Sequence, residues 1–472
     1  MSVARNSAYN LAAALIPAAV SLVVIPPYIS ALGEARYGVL ALFTMLLGFF
    51  GLWDLGISSA TAQRIAAAGS NLAMRRDIFQ SAVSVNLVLG VTGGLVLVPL
   101  AWVLFGHVFK IPPALRPELQ ATIGWLALGL PIMLLSEVYR GALMGSARFA
   151  EISVINIAGS MMSQLAPLAA ALWISPRLTI ILPVLYAVRV AMLGGYALIV
   201  RKHVTQGGRG TFDRSRARDL LSFGGWMTLS SLVGTVLLGV DRFLIGTVLG
   251  ARAVSHYTVP FQLAERSMIV PGALGQALLP RLAAADDHEA RGIAARGLWW
   301  LAALLTPGVA TGILAVGPFL DWWLDSGFAE AATVPAQVLL IGFWFNGQAI
   351  CCAVRLQAAG RPRLLAKAHL WEVLPYVAVL TGCLYVFGLW GAAAAFALRL
   401  AVDALLLGWF AGLLGEVLKL SALALPTFII AVVLAARTPF GGLIGLALLA
   451  AVGAVALAWL ISERQTLLSA LR

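Results

Sequence analysis

No water-soluble fold can hide a chain in which apolar runs of more than twenty residues follow one another almost without interruption. Residues 6–33 carry no charged side chain, and similar runs recur along all 472 residues. Hydrophobic residues make up 61% of the chain and charged ones only 11%, with a mean hydropathy of +0.93. A spanning helix needs about 20 apolar residues, and within lipid a helix satisfies its own backbone polar groups. The fold class expected is an all-α polytopic membrane protein. Hydropathy places fourteen transmembrane helices near 7–33, 37–63, 79–106, 119–141, 148–174, 178–201, 219–249, 254–281, 297–320, 332–355, 367–388, 390–413, 419–436 and 441–461.

With the N-terminus in the cytoplasm, 22 of the 32 basic residues fall on cytoplasmic segments and 6 on the opposite side. Arg189, Arg242, Arg266 and Arg399 remain inside spans. Positive charge resists translocation, so both termini are expected in the cytoplasm and the number of spans is expected to be even. The net charge of +12 reads as a set of topology determinants facing anionic headgroups, not as a nucleic-acid surface. The first apolar run is far longer than a signal-peptide core and continues as the first span. Cys351, Cys352 and Cys383 all lie in spans without metal-type pairing, and read as inert packing residues.

The basic linker His203–Arg218 splits the chain after six spans. Leu32-Gly33 and Leu249-Gly250 each close a first helix. Thirty-one residues after each glycine comes Arg64-Ile-Ala-Ala-Ala or Arg281-Leu-Ala-Ala-Ala, both at an offset of 217 residues. The expected organisation is an N-terminal lobe (1–203), a cytoplasmic linker (204–218), a C-terminal lobe (219–414) and two further helices with a short tail (415–472). With six spans before the second copy, the lobes would be parallel. Paired lobes of this kind expose a substrate site alternately to each side.

Three segments of each half carry a further pattern: Arg5-Asn6-Ser7-Ala8-Tyr9-Asn10, Pro27 to Gly38 and Gly51-Leu52-Trp53-Asp54-Leu55-Gly56 in the first; Leu221 to Trp226, Asp241 to Gly246 and Gly360-Arg361-Pro362-Arg363 in the second. In these the chain resembles Wzx-type polysaccharide repeat-unit flippases of the multidrug/oligosaccharidyl-lipid/polysaccharide (MOP) superfamily. The resemblance implies a lipid-linked oligosaccharide carried from the inner to the outer leaflet of a bacterial inner membrane, for O-antigen, capsule or exopolysaccharide. It also brings in polysaccharide-assembly proteins as partners. The rivals are a multidrug or cation antiporter on the same fold, a peptidoglycan-precursor flippase, and a membrane glycosyltransferase.

An enzyme is not expected. The chain has no Gly-x-x-x-x-Gly-Lys, His-Glu-x-x-His or Gly-x-Ser-x-Gly motif, its outer loops are short, and no cofactor is implied beyond proton or sodium coupling. The five histidines read as interfacial.

Function is expected where charge sits inside the spans, at roughly 2.5–3.5 kcal/mol for each at the bilayer centre. Glu137, Glu151 and Glu372 lie within about one helical turn of cytoplasmic ends, where snorkelling explains them. Deeper lie Asp54, Asp241 and Arg242, with Arg189, Glu265, Arg266, Arg399 and Asp403 near the midplane. Arg399 and Asp403 are spaced to pair along one helix face. Guanidinium groups bind phosphate bidentately and stay charged, so Arg189, Arg242, Arg266 and Arg399 are the candidates for gripping a lipid diphosphate. Asp54, Asp241, Glu265 and Asp403 are the ion-coupling candidates. Trp53, Trp226 and Trp344 are available to stack on sugar rings. Pro17, Pro26 and Pro27 are expected to interrupt the first span, and Pro260 and Pro271 the eighth. Gly90-x-x-x-Gly94 and Gly246-x-x-x-Gly250 are expected to permit close helix approach.

Overall fold

The computed structural model describes residues 3–208 and 210–437, and every element in them is helical. The fourteenth predicted span, 441–461, lies outside the described residues, as do the side chains of Arg5 and Trp226. Nine described helical stretches are long and apolar enough to cross a membrane. The chain is therefore a multi-pass membrane protein.

The described residues divide into two compact units. Unit 1 comprises residues up to Gly239 together with Gly250–Val254, and unit 2 comprises Val240–Leu249 and the residues from Ser255 onward. The division falls inside a helix, not at the linker. That helix, α9 (Arg214–Val248), starts directly after the linker. Its first turns pack with unit 1 through an Arg64–Asp219 ion pair of 2.8 Å and through Leu220 in the unit 1 core.

Unit 1 contains α1 (Val3–Leu32), α2 (Glu34–Phe50), α3 (Ile57–Ala67), α4 (Leu72–Val103), α5 (Arg116–Thr122), α6 (Trp125–Gly145), α7 (Phe149–Trp173) and α8 (Leu178–His203). Helix α1 stays continuous through Pro17, Pro26 and Pro27, contrary to the expected interruption, and ends at Gly33 with φ +80°. Helix α4 lies close against α6: a Cβ at Gly90 would come within 2.6 Å of Pro131 Cα, and one at Gly94 within 2.7 Å of Ala127 O. Two further glycines complete the face. Cβ atoms at Gly141 and Gly145 of α6 would overlap the carbonyl oxygens of Ser58 and Ala62 on α3. The linker itself is tied down along α4. Arg76 Nε donates to Thr205 O (2.7 Å), Thr211 N donates to Asp77 Oδ1 (2.9 Å), and Asp213 N donates to Ser81 Oγ (3.1 Å).

Unit 2 contains the end of α9, most of α10 (Ala251–Glu265), α11 (Ile269–Ala284), α12 (Asp287–Trp323), α13 (Ser326–Ala358), α14 (Pro362–Phe410) and α15 (Leu414–Arg437). Helix α14 is two arms joined at Gly388, whose φ of +63° and ψ of −141° turn the chain back on itself. The arms correspond to the predicted spans 367–388 and 390–413. Helix α15 corresponds to the predicted thirteenth span.

The two halves of the sequence share two local backbone features. Gly33 and Gly250 both end a helix with positive φ, +80° and +94°. The next predicted span is then broken in both halves by a 3-10 turn, at Gly51–Asp54 between α2 and α3 and at Arg266–Met268 between α10 and α11. The second break lies between Pro260 and Pro271. Proline has no N–H to offer the carbonyl of residue 267 and its ring crowds that carbonyl, which suits the 3-10 turn that precedes Pro271. At the first break the left-handed residues Leu55 (φ +48°) and Gly56 (φ +69°) follow the turn.

Candidate functional site

The most concentrated intramembrane chemistry lies inside unit 2. It follows from the register of the α14 hairpin. Because the arms fold back at Gly388, residue 369 meets 403, residue 372 meets 399, and residue 376 meets 396. His369 Nε2 lies 3.5 Å from Asp403 Oδ1, and Arg399 Nε lies 3.8 Å from Glu372 Oε2. The Arg399 guanidinium sits 5.6 Å from the Tyr376 ring centroid and 5.5 Å from that of Phe396. The carboxyl groups of Glu372 and Asp403 are close neighbours. Arg399 and Asp403 therefore do not simply neutralise each other along one face, as their spacing had suggested; each finds its partner across the hairpin.

The cluster continues into α9 and α10, which form a second hairpin about Gly250. Asp241 is fully buried and accepts from Arg242 N (2.8 Å). The hydroxyl of Tyr257 lies beside its carboxylate, and Arg242 and Arg399 both act on it electrostatically. The Arg242 guanidinium lies 4.1 Å from the Phe261 ring centroid, a cation–π seat that suits a planar, delocalised cation. Phe261 packs edge-on against Phe343 and Phe396, each at 5.2 Å. Two arginines thus rest on an aromatic floor among three carboxyls, Asp241, Glu372 and Asp403, with His369 at one end.

Glu372 and His369 belong to this cluster although neither is among the sequence candidates for it. Against the snorkelling expectation, the Glu372 side chain is 3% exposed and engages Arg399. His369 was read as interfacial, yet it meets Asp403. The tally of three midplane arginines against two carboxylates also changes, because Glu265 and Arg266 stand apart. Both are exposed at the 3-10 break, with no ion pair or hydrogen bond among the described residues.

Unit 1 holds two smaller groupings. Asp54, buried at the end of the first 3-10 turn, accepts from Ser58 N (3.2 Å), from Ser58 Oγ and from Asn86 Nδ2 (2.5 Å). Asn86 Nδ2 also donates to Leu134 O at 3.2 Å. Asp54 thereby caps the N-terminus of α3, where backbone N–H groups lack helical partners, and ties the break to α4 and α6. Arg189 is half-buried on α8 with its guanidinium 5.9 Å from the Tyr186 ring centroid, and Tyr186 stacks on Trp125 at 5.7 Å. No carboxylate pairs with Arg189 among the described residues.

The tryptophans separate. Trp53 is exposed and stacks on Phe50 at 5.5 Å. Trp344 is fully buried; its Nε1 donates to Thr306 Oγ1 (3.0 Å), and Phe345 and Phe428 cover it. It is packing core and offers no face to a sugar. Among the described residues no cluster of His, Cys, Asp and Glu is arranged to hold a metal ion.

Outside the membrane-spanning segments, Glu118 binds Arg36 Nη2 (2.6 Å), Arg36 Nε (3.2 Å) and Leu178 N (3.1 Å). Burial works to raise its carboxyl pKa. The hydrogen bonds from Arg36 and Leu178, with the charges of Arg36 and Arg177, outweigh burial and hold it below the usual carboxylate range.

Comparison with known proteins follows the same outline. A Shigella flexneri protein described as "Putative O-antigen transporter" is 28% identical over 412 residues, covering 87% of this chain and 97% of that protein. Among solved structures, the lipid II flippase MurJ in an inward closed conformation superposes with a TM-score of 0.71 at 13% identity, covering 98% of this chain and 99% of that one. An inward-facing multidrug resistance MATE family transporter of the MOP superfamily superposes with a TM-score of 0.67 at 17% identity, covering 90% of this chain and 96% of that one. These establish the fold as MATE/MurJ-like. The family model described as "Polysaccharide biosynthesis protein" matches residues 31–333, which is well over half of the chain and reaches from α1 into α13. The chain belongs to this polysaccharide biosynthesis protein family.

Proposed function

We propose that this protein is a flippase that carries an undecaprenyl-diphosphate-linked oligosaccharide from the inner to the outer leaflet of the bacterial inner membrane by alternating access. Surface polysaccharide such as O-antigen is the destination of its cargo. The observation that carries this reading is family membership over residues 31–333, joined to a relative aligned over nearly its whole length that is named as an O-antigen transporter. Buried arginine supports it independently. A lipid diphosphate must take dense negative charge through a low-dielectric layer, and guanidinium groups supply bidentate, permanently charged partners. Arg189, with no carboxylate beside it, and Arg266, exposed at a helix break, are the arginines with most of their binding capacity left over. Arg242 and Arg399 are held on aromatic rings, which keeps their planes oriented.

Energy is supplied in this reading by protons. With all three carboxyls ionised, the unit 2 cluster carries one more negative than positive charge, and a single proton makes it neutral. Sodium would need several oxygen ligands with no cation beside them, and Arg242, Arg399 and His369 occupy those approaches. Asp241, Glu372 and Asp403 are thus the coupling carboxyls. Asp54, already holding three donors, sets the helix break. Both termini lie in the cytoplasm, so reporter fusions at Gly208 and Asp287 read cytoplasmic and fusions at Pro113 and Ser326 read external.

The deciding experiment is transport by the purified, reconstituted chain. Undecaprenyl diphosphate bearing a fluorescent sugar is the probe, and its leaflet distribution is measured with and without an imposed proton or sodium gradient. A proton gradient should shift the final distribution and a sodium gradient should not. Equal distributions under all conditions would remove coupling; no movement of the probe, in a preparation that complements a flippase-deficient strain, would exclude this lipid class.

A further inference from the structure

Of the four charged or titratable side chains that meet across the α14 hairpin, one is substantially exposed. The His369 side chain is 28% exposed, whereas those of Asp403, Arg399 and Glu372 are 5%, 7% and 3% exposed. His369 sits in the second turn of α14, immediately after the basic segment Arg361–Arg363, on the side of the membrane that the charge asymmetry assigns to the cytoplasm. We propose that His369 is the port through which protons pass between that aqueous phase and the buried Glu372–Asp403 carboxyl pair. This rests on the proton-coupling reading given above.

The geometry gives each imidazole nitrogen a task. Nε2 faces Asp403 Oδ1 at 3.5 Å, which leaves Nδ1 as the nitrogen that takes a proton from water. Imidazole protonated at Nδ1 then releases the Nε2 proton to Asp403 Oδ1, giving a neutral ring and a neutral carboxyl. Asp403 passes the proton to its neighbour Glu372, and the ring regains its first tautomer by exchange with water. Nothing is consumed beyond the proton. Imidazole is the ordinary side chain whose unperturbed pKa allows both directions near neutral pH.

The α9 groups Asp241 and Arg242 act on the Arg399 end of the cluster. On the arm that carries His369 the charged neighbours are Arg361, Arg363, Lys367 and Glu372; on the returning arm they are Arg399 and Asp403. Arg355 on α13 is clamped by Asp287 Oδ1 (3.3 Å). On α15, Glu416 pairs with Lys419 (3.5 Å) and accepts from Trp299 Nε1 (2.8 Å). A rival polar route runs along α13 through the buried Gln348 and Cys352, the latter being electrostatically coupled to Asp403. It ends at Arg355, a fixed cation that raises an electrostatic barrier to protons, as arginine does in pores.

The test is hydrogen–deuterium exchange of the protonated-carboxyl infrared band, recorded on the full chain in lipid without any transport substrate. Wild type should show a carboxyl band that exchanges rapidly and loses a component in Asp403→Asn. His369→Gln should keep the band's amplitude but exchange roughly a hundredfold more slowly, the lower end of what a positioned proton carrier supplies. Added imidazole should restore the rate in this variant and leave wild type unchanged. Exchange in His369→Gln as fast as in wild type, or slow exchange that imidazole does not relieve, would overturn the role of His369 alone. A wild-type band with no Asp403-dependent component would overturn the proton-coupling reading itself.

Discussion

Replacing Arg399 by alanine separates the contact it makes with Glu372 from the grip on substrate phosphate that we propose for it. The pair is deeply buried, with side chains 7% and 3% exposed and 3.8 Å between Nε and Oε2. At an effective dielectric constant of about 20, charges at that separation attract by roughly 4 kcal/mol. Removing one member of a buried pair costs about 3–5 kcal/mol, because the survivor keeps its desolvation penalty without its partner. Arg399→Ala should therefore lower the thermal midpoint of the purified protein markedly. Arg399→Ala combined with Glu372→Gln should recover most of that loss, since no charge is then stranded. Transport should behave differently. Both the single and the double variant should fail to complement a flippase-deficient strain while inserting normally, and Arg399→Lys should complement only in part, because an ammonium cannot grip phosphate bidentately. If the double variant regains full complementation along with its stability, Arg399 serves only as the counter-charge of Glu372 and the phosphate role is wrong.

Two other outcomes follow from the geometry. Gly141→Val should abolish accumulation of folded protein, measured by size-exclusion recovery, because α6 can no longer lie against the Ser58 carbonyl; Gly124→Ala, with nothing within 4 Å of the added carbon, should be silent. The Glu118 carboxyl is depressed in the folded state, so its contribution to stability is present above the ordinary carboxylate range and is lost as pH falls through the lowered value. Thermal midpoints taken at about pH 7 and about pH 3 should fall less steeply with acidification in Glu118→Gln than in wild type; an identical fall would remove Glu118 from the acid sensitivity.

Hydropathy locates depth along each helix, and this proved readable: the described spans and the two arms of α14 follow from it, and the glycines at 33 and 250 end helices as their sequence pattern suggests. Rotation about a helix axis and register between helices are a different matter. The partnership of 369 with 403 and of 372 with 399 depends on where the hairpin turns, which a one-residue shift at Gly388 would change. Glu372 looked peripheral because depth alone was available, and depth does not say whether a side chain faces water or the returning arm. Glu265 and Arg266 show the opposite case. They lie deep in sequence, but the 3-10 turn before Pro271 swings them onto an exposed surface. Trp344 illustrates a third limit: a tryptophan in an apolar run has the same composition whether it stacks on a ligand or seals a core, and only the Thr306 hydroxyl beside its indole nitrogen decides.

The short Gly250–Val254 segment bears on how the protein is made. It belongs to unit 1, where Arg252 pairs with Glu34, Ala251 N donates to Lys110 O at 3.1 Å, and the Ala251 carbonyl lies against Gly38. Glu34 and Arg252 are 218 residues apart in sequence. At synthesis rates of about 5–20 residues per second, Glu34 waits roughly ten to forty seconds at the membrane before its partner has been made. Unit 1 therefore cannot be completed when its own helices have been inserted; it is finished only after α9 has followed them. During that interval the exposed ends of α1 and α2 are open to the membrane-insertion machinery and to quality-control proteases. Shortening the wait by slowing or pausing translation before α9 is thus impossible, and a pause there would lengthen the period of exposure.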